Sequence, residues 1–298
     1  MQSRVRYWEL EVVILLIKML FTGIVVYLFF AFNTLYAIEL VYDLSVPVIV
    51  LFLIYQAMVL LVGFCFFRVA IAKNCSTMEL FPEVEDREDL SSYESLHLNP
   101  FEKDNMQIKQ KSMEVCGVCR ISRPVRSFHC LNCDRCFLLM YKHLALFDIC
   151  IGFTNYKFYV VFLFYSIWLC ALGAGCFIHG VIHSLTSPNS RIVFVPMVVA
   201  VALQVVVLLG ALWELYQAVV CILQNETLEE RRQRKDTKIS YNIGKLANWQ
   251  MIMGKKWYHW FLPIWSTSGN GLEFPYIQKD YIEIEGPDSG SEVGLVAE

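Results

Sequence analysis

Four long apolar runs dominate the hydropathy pattern of the chain. The runs cover residues 12–32, 46–67, 158–177 and 193–221. Each is at least as long as the roughly twenty residues that an α-helix needs to cross the hydrocarbon core of a bilayer. The pattern therefore predicts four transmembrane helices. Residues 33–45 and 178–192 then lie on one side of the membrane, and both ends of the chain lie on the other.

The first run follows Arg4 and Arg6 and contains a single charge, Lys18. Because Lys18 lies near the basic end of the run, we expect its ammonium group to reach the membrane interface. A cleaved signal peptide is the alternative interpretation. The run is too long for one, and it lacks a small-residue cleavage site.

The remaining segments are polar. Residues 1–11 form a short N-terminus. Residues 68–112 are mostly acidic and show no regular spacing of hydrophobic positions, which is typical of a solvated linker. Residues 222–298 form a C-terminal tail. The tail begins with basic residues around Arg231 and Arg232 and becomes acidic and rich in Gly and Ser after Gly286, where we expect disorder.

Composition supports a membrane protein and indicates its orientation. Of the 298 residues, 56% are hydrophobic and only 18% are charged, with a mean hydropathy of +0.47. The net charge of −3 is uninformative, but the distribution of the basic residues along the chain is informative. Of the 25 Lys and Arg residues, all but Lys18 and Arg191 fall on the side of the chain termini. The positive-inside rule therefore predicts that the termini and the segment between the second and third spans are cytosolic.

Residues 113–157, between the second and third spans, contain a repeated pattern of metal-binding residue types. The pattern C-x2-C-x9-H-x6-C occurs twice, and the second copy is displaced by fourteen residues. Three cysteines and one histidine form a common tetrahedral zinc set. The pattern predicts two structural Zn²⁺ ions, one bound by Cys116, Cys119, His129 and Cys136, the other by Cys130, Cys133, His143 and Cys150.

Other uses of these cysteines fit less well. A disulfide framework would leave both repeated histidines unexplained, and a redox C-x2-C motif would need a βαβ pattern that is missing. A nucleic-acid-binding zinc module conflicts with the position between membrane spans, and it lacks an aromatic and basic stripe. Thiolate ligands indicate a reducing, cytosolic environment. The remaining cysteines are Cys65, Cys75, Cys170, Cys176 and Cys221.

Longer motifs surround these ligands. The pattern C-x2-C-x3-[RK]-P-x-R-x2-H-C-x2-C-x2-C spans residues 116–136 through Arg123, Pro124 and Arg126, and C-[IV]-G-x2-N-[YF]-[RK]-F spans residues 150–158. Together with four membrane spans, these motifs resemble the DHHC family of protein S-acyltransferases. The family's T-T-x-E motif corresponds to Glu226, Thr227, Leu228 and Glu229, with the first threonine lost; its C-terminal motif corresponds to Tyr241, Asn242, Ile243, Gly244, Asn248 and Gly254.

The resemblance fails at the site of chemistry. In the family, an Asp-His-His-Cys tetrad takes an acyl group from a long-chain acyl-CoA: the cysteine is the nucleophile, the first histidine its base, and the aspartate orients that histidine. Here the tetrad is Tyr141, Lys142, His143 and Leu144, so only the zinc-binding histidine remains. The Pro-Trp pair of the family is also lost, since Ala145 and Leu146 follow.

Covalent catalysis needs a nucleophile and a group that activates it, and Leu144 has no lone pair. Lys142 could accept an acyl group only if its pKa were depressed, and we expect it to contact solvent or lipid headgroups instead. The sequence thus predicts a non-catalytic, zinc-stabilised membrane scaffold that binds lipid, palmitoyl-CoA, or a membrane-protein or acyltransferase partner, and no nucleic acid. The alternative is an active S-palmitoyltransferase with another nucleophile. The family resemblance implies the endoplasmic reticulum or Golgi.

Overall fold

The computed structural model describes residues 2–42, 46–72, 114–186, 194–232, 239–272 and 274–278. Most of the predicted acidic linker, including Cys75, lies outside these residues. The predicted disordered end of the tail lies outside them as well.

Four long helices carry the apolar runs. They are α1 (Gln2–Tyr42), α2 (Val46–Ile71), α3 (Tyr156–Thr186) and α4 (Phe194–Gln224). Each contains a stretch long and apolar enough to cross a membrane. The chain is therefore an α-helical integral membrane protein, as predicted. The helices extend beyond the predicted spans, since α1 continues past residue 32 to Tyr42 and α3 past residue 177 to Thr186.

Helix α3 is the central helix of the bundle and packs against both α2 and α4. Away from the metal-binding residues, stacked aromatic rings lie among the aliphatic side chains of the bundle interior. Phe32 of α1 stacks on Tyr55 of α2 with ring centroids 3.4 Å apart, and Phe177 of α3 meets Phe32 edge-on. A hydrogen bond of 2.8 Å from Gln56 to Asn33 joins α2 to α1. Polar side chains within a membrane bundle are satisfied in this way by partners on neighbouring helices.

The cysteine-rich segment lies between α2 and α3, as predicted, and we call residues 114–155 the metal module. It consists of three antiparallel hairpins in series. Their strands are β1 (Glu114–Val115), β2 (Ser122–Arg123), β3 (Ser127–Cys130), β4 (Arg135–Leu138), β5 (Lys142–Leu144) and β6 (Ile149–Ile151).

The three hairpins are copies of one local unit. Each turn contains a non-glycine residue in the left-handed region, and these residues are Arg120 (φ 54°), Asp134 (φ 50°) and Asp148 (φ 52°). They follow one another at the same fourteen-residue interval as the ligand pattern. The sequence repeat is therefore a structural repeat, and it extends to a third hairpin, whose turn lacks the pair of cysteines.

The described part of the predicted tail is folded. It contains α5 (Leu228–Arg232), β7 (Ile239–Ser240), α6 (Lys245–Met253), a short 3-10 helix (Trp257–Phe261) and β8 (Ile277–Gln278). Helix α5 starts with a capping box: the Thr227 hydroxyl accepts from the Glu230 N–H, and the Glu230 carboxylate accepts from the Thr227 N–H.

One buried cluster joins the metal module, the C-terminal segment and the adjoining ends of α2, α3 and α4. Asn155 is fully buried where the module passes into α3, and it accepts a hydrogen bond from the Gly152 N–H and donates to the Cys150 carbonyl. Gly152 is required there because a Cβ atom would lie 2.8 Å from the Leu138 carbonyl oxygen. The module is thus fused to the bundle by packing as well as by the chain.

Candidate metal centres and the adjoining hairpin

The first predicted ligand set comes together across two hairpins. Cys116 and Cys119 lie in the β1–β2 turn, and His129 and Cys136 face each other across the β3–β4 ladder. The His129 Nδ1 atom lies 3.1 Å from Cys119 Sγ, 3.7 Å from Cys116 Sγ and 3.8 Å from Cys136 Sγ. All four donor atoms lie within 4.8 Å of one another.

The second set repeats this arrangement one hairpin further along the chain. Cys130 and Cys133 flank the β3–β4 turn, and His143 and Cys150 face each other across β5 and β6. His143 Nδ1 lies 3.6, 3.5 and 3.4 Å from the sulfurs of Cys130, Cys133 and Cys150. Each of the first two hairpin turns thus supplies two cysteines, while the next hairpin supplies the histidine and the third cysteine. This geometry explains why the two ladders interleave in the sequence.

Both clusters fit zinc. A tetrahedral ion with Zn–S bonds of about 2.3 Å and Zn–N bonds of about 2.0 Å has ligand–ligand edges of about 3.5–3.8 Å, close to the distances in both clusters. The disulfide alternative does not fit, because all ten cysteines in the described part of the chain are free. Cys133 Sγ and Cys150 Sγ are 3.4 Å apart, which is too far for an S–S bond.

The second cluster shows why a cation suits these sulfurs. The hydrogen bond from the Cys150 thiol lowers the pKa of Cys130 to about 5, whereas the same bond and burial raise the pKa of Cys150. One thiolate is therefore stabilised at the expense of its neighbours. A divalent cation removes this competition and lets all three sulfurs ionise, so zinc binding would stabilise the folded module.

The third hairpin replaces the metal-binding turn with an apolar one. Leu144 and Phe147 stand fourteen residues after Cys130 and Cys133, and the Phe147 N–H donates to the Leu144 carbonyl at 3.1 Å. The Phe147 ring meets Phe21 of α1, Phe66 of α2 and Phe162 of α3, with centroid distances of 5.9, 4.9 and 6.4 Å. The turn therefore docks the module onto three membrane helices.

Two further residues of this hairpin also make structural contacts. Tyr141 is completely buried and stacks on Tyr156 at 4.7 Å, and burial raises the pKa of its hydroxyl. Lys142 forms an ion pair with Glu214 of α4, whose carboxylate also accepts a 2.8 Å hydrogen bond from the Tyr159 hydroxyl. The sequence analysis expected Lys142 to contact solvent or headgroups, but its side chain is only 14% exposed.

Glu214 is a partner that the sequence analysis missed. It is an acidic residue inside the predicted fourth span, and such residues normally face the bundle interior and pair there. The sequence therefore indicated that Glu214 has a partner within the protein. It did not indicate which residue, since Lys142 lies 72 residues away.

Comparisons with known proteins agree with this architecture. Residues 109–235 match the family model described as DHHC palmitoyltransferase. The chain therefore resembles the DHHC family over this segment. It is 27% identical to palmitoyltransferase ZDHHC2 of Danio rerio over 91% of this chain and 77% of that protein. It is 34% identical to palmitoyltransferase PFA3 of Saccharomyces cerevisiae over 50% of this chain.

The coverage of other relatives is smaller. The chain is 31% identical to probable protein S-acyltransferase 12 of Arabidopsis thaliana over 60% of that protein. It spans about half the length of others, for example 46% of the Rattus norvegicus palmitoyltransferase ZDHHC2 and 51% of the yeast protein. These matches support a palmitoyltransferase-like membrane protein. The sequence analysis predicts that Tyr141, Lys142 and Leu144 occupy the positions of the family's reactive residues.

The family motifs outside the tetrad are structural cross-links in this chain. The Arg126 guanidinium donates to both carboxylate oxygens of Glu230, at 2.6 and 2.9 Å, and to Asn225. The sequence analysis matched the motif's glutamate to Glu229. In the structure Glu229 pairs with Arg232 on the surface, and it is the next residue, Glu230, that holds Arg126.

Two buried polar residues attach the C-terminal segment to the bundle. Asn248 is 1% exposed and donates to the Leu223 carbonyl at the end of α4. Lys157 of α3 is also 1% exposed and donates to the Ile264 carbonyl and to Ser266 Oγ. In the sequence analysis Asn248 and Lys157 were only parts of family motifs, Lys157 within residues 150–158, and the structure gives both of them a packing role.

Proposed function

We propose that the chain is a non-catalytic member of its family, a zinc-stabilised scaffold that binds lipid or a membrane partner. The observation that carries the proposal is the use of the three altered tetrad positions. Tyr141 is stacked in the core, Lys142 is paired with Glu214, and Leu144 packs against the buried cluster. None of these side chains offers a free nucleophile or base for acyl transfer.

The other described cysteines do not replace the missing thiol. Six belong to the two metal clusters, and Cys65, Cys170, Cys176 and Cys221 are buried. Cys221 shares a buried cluster with Tyr141 of the altered tetrad, yet it is only 1% exposed. Attack on a thioester needs access as well as a thiolate.

A lipid-binding role has some support from the bundle. A mainly apolar recess of about 260 Å³ lies between α1, α3 and α4 and is lined by Tyr27, Thr34, Phe177, Pro196 and Met197 among others. Such a recess suits part of an acyl chain. Occupation by the chain of palmitoyl-CoA belongs to this proposal, as do the cytosolic orientation and residence in the endoplasmic reticulum or Golgi.

The second candidate is an active protein S-palmitoyltransferase. The family match and the names of the relatives favour it. It requires a nucleophile outside the altered tetrad, and Cys75 is the cysteine whose surroundings the structure does not describe. The two candidates differ in one measurable species, a covalent acyl-enzyme.

The test incubates the purified full chain in detergent with labelled palmitoyl-CoA and looks for an adduct that hydroxylamine removes. We expect none above the level seen with a Cys75→Ser variant. We also expect Leu144→Cys alone to give no turnover, because Lys142 remains paired with Glu214 and Tyr141 offers no carboxylate. A stoichiometric adduct that disappears when one cysteine is replaced would establish the second candidate.

A further inference from the structure

Both metal-binding histidines present the same unused atom. His129 and His143 turn Nδ1 toward the sulfurs, so Nε2 points out of each cluster. Both Nε2 atoms are buried and have no hydrogen-bond partner in the described part of the chain. The carboxylate facing each one is an aspartate: Asp134 Oδ1 lies 3.6 Å from His129 Nε2, and Asp148 Oδ1 lies 3.9 Å from His143 Nε2.

The two aspartates belong to the repeat. Each stands five residues after its histidine, so the pattern extends to C-x2-C-x9-H-x4-D-x-C in both copies. Each also has the left-handed backbone conformation, with φ of 50° and 52°. Aspartate is one of the few non-glycine residues that adopt this conformation readily. The carboxylates are therefore delivered to the same place by the same local geometry.

A histidine that binds a metal through Nδ1 carries a proton on Nε2. A carboxylate that accepts this proton in a hydrogen bond fixes the tautomer and the ring orientation, and it makes the imidazole a better ligand. The aspartate side chains are 84% and 68% exposed, so a small side-chain rotation can close the remaining distance. Solvent exposure also limits the strength of the contact.

The two copies differ in one respect. The second oxygen of Asp148, Oδ2, accepts a hydrogen bond from Lys18 of membrane helix α1. The sequence analysis expected Lys18 to reach the membrane interface; in the structure its ammonium group pairs with Asp148 of the metal module. Asp134 has no lysine or arginine partner among the described residues. A continuous chain of contacts thus runs from α1 through Lys18 and Asp148 to His143.

We propose that Asp134 and Asp148 are positioning residues for the two metal-binding histidines, and that the Lys18–Asp148 pair couples the second metal site to helix α1. The first site then depends on the module alone. The second site depends on the module and on the position of a membrane helix. This coupling offers a way for a change in the bundle to alter metal retention.

The experiment measures zinc release from the purified full chain to an excess of a chromogenic chelator. About two zinc ions per chain are expected at the start, since two closed sites are present. Asp134→Asn and Asp148→Asn should each speed the release of one of the two ions about tenfold, the lower end of the range for such partners. The other ion should leave at the wild-type rate.

Lys18 variants test the coupling without altering the module. Lys18→Met should speed the release of one ion, by less than Asp148→Asn does, and should add nothing in the Asp148→Asn background. The charge-reversed double variant Lys18→Asp/Asp148→Lys restores the ion pair but places a cation beside His143. We expect its thermal midpoint to recover toward wild type while its zinc release stays fast.

Three results would overturn the proposal. Unchanged release in both Asp→Asn variants would remove the positioning role. Equal acceleration of both ions, together with a lower thermal midpoint, would indicate general unfolding of the module. Unchanged release in Lys18→Met would remove the coupling. If Asp148→Asn does not fold, Asp134→Asn tests the positioning role at the site that does not contact α1.

Discussion

At the scale of single residues, Tyr141 shows how packing uses a position that the sequence analysis assigned to the family's aspartate. Its ring stacks on Tyr156 of α3. Its hydroxyl is buried without a hydrogen-bond partner in the part of the chain that the structure describes. The ring therefore contributes to stability through apolar contact, and the hydroxyl contributes nothing or opposes it.

This asymmetry leads to a prediction for Tyr141→Phe. Because the hydroxyl is unsatisfied, its removal should leave stability unchanged or raise it by up to about 1 kcal/mol. The matched control is Tyr156→Phe, which removes a 3.1 Å hydrogen bond to the Ala218 carbonyl and should cost about 1 kcal/mol. Thermal unfolding of both variants in the same detergent provides the measurement. An equal loss in the two variants would mean that the Tyr141 hydroxyl has a partner.

At the scale of elements, Arg126 connects three parts of the chain. It lies in the module between β2 and β3, binds Asn225 and Glu230 at the start of the C-terminal segment, and lies over the rings of Tyr241 and Phe274 at 4.5 and 4.8 Å. Its side chain is only 2% exposed. A planar guanidinium suits this place because it donates in several directions while its faces stack on aromatic rings.

We expect Arg126→Ala to release the C-terminal segment. Breaking a buried ion pair leaves a charge without a partner. The free energy of unfolding should fall by about 3 kcal/mol, the lower end of the usual range, because Glu230 is partly exposed. Arg126→Lys should retain only part of the stability that Arg126→Ala loses, since an ammonium group cannot reproduce the paired contacts. Limited proteolysis of the C-terminal segment and thermal unfolding measure the effect.

Arg232→Ala is the control for this prediction. Arg232 makes a 3.5 Å contact with Glu229, and its side chain is 72% exposed. Surface pairs of this kind contribute less than about 1 kcal/mol. Similar proteolysis of the two alanine variants would contradict the role assigned to Arg126.

At the scale of the whole molecule, charge separates the two faces of the bundle. The metal module and the C-terminal segment pack together at the same ends of α2, α3 and α4. Nearly all of the 25 Lys and Arg residues belong to this face or to segments that connect to it. The opposite face carries Arg191 alone among predicted loop residues. Such an asymmetry is what sets the orientation of membrane proteins.

The expected outcome is a cytosolic metal module. In sealed microsomes, an epitope inserted at Asp86 should be removed by added protease, because the segment before the module faces outward. An epitope in the 187–193 loop should survive until detergent is added. Protection of the Asp86 epitope together with cleavage of the loop epitope would show the opposite orientation. It would also contradict the inference that the thiolate ligands lie in the reducing cytosol.

The membrane helices and both ligand sets could be predicted because each depends on a local pattern. Twenty apolar residues form a spanning helix whatever surrounds them, although the ends of α1 and α3 lie beyond the limits that hydropathy suggested. The eight ligands converge because a hairpin turn fixes the spacing of two cysteines, and a ladder places His129 opposite Cys136. The repeat then makes the second cluster follow from the first.

What the sequence by itself determined was therefore the class of fold and the two donor sets, and the replacement of the family's nucleophile by Leu144 stays a prediction from it. Only the tertiary structure decided which charges meet. Lys142 pairs with Glu214, Lys18 with Asp148 and Arg126 with Glu230, over separations of 72, 130 and 104 residues. No local period encodes such pairs, because they arise from how helices and hairpins pack once formed. For the same reason, the sequence did not show that Glu230, which the α5 capping box holds in place, is the partner of Arg126.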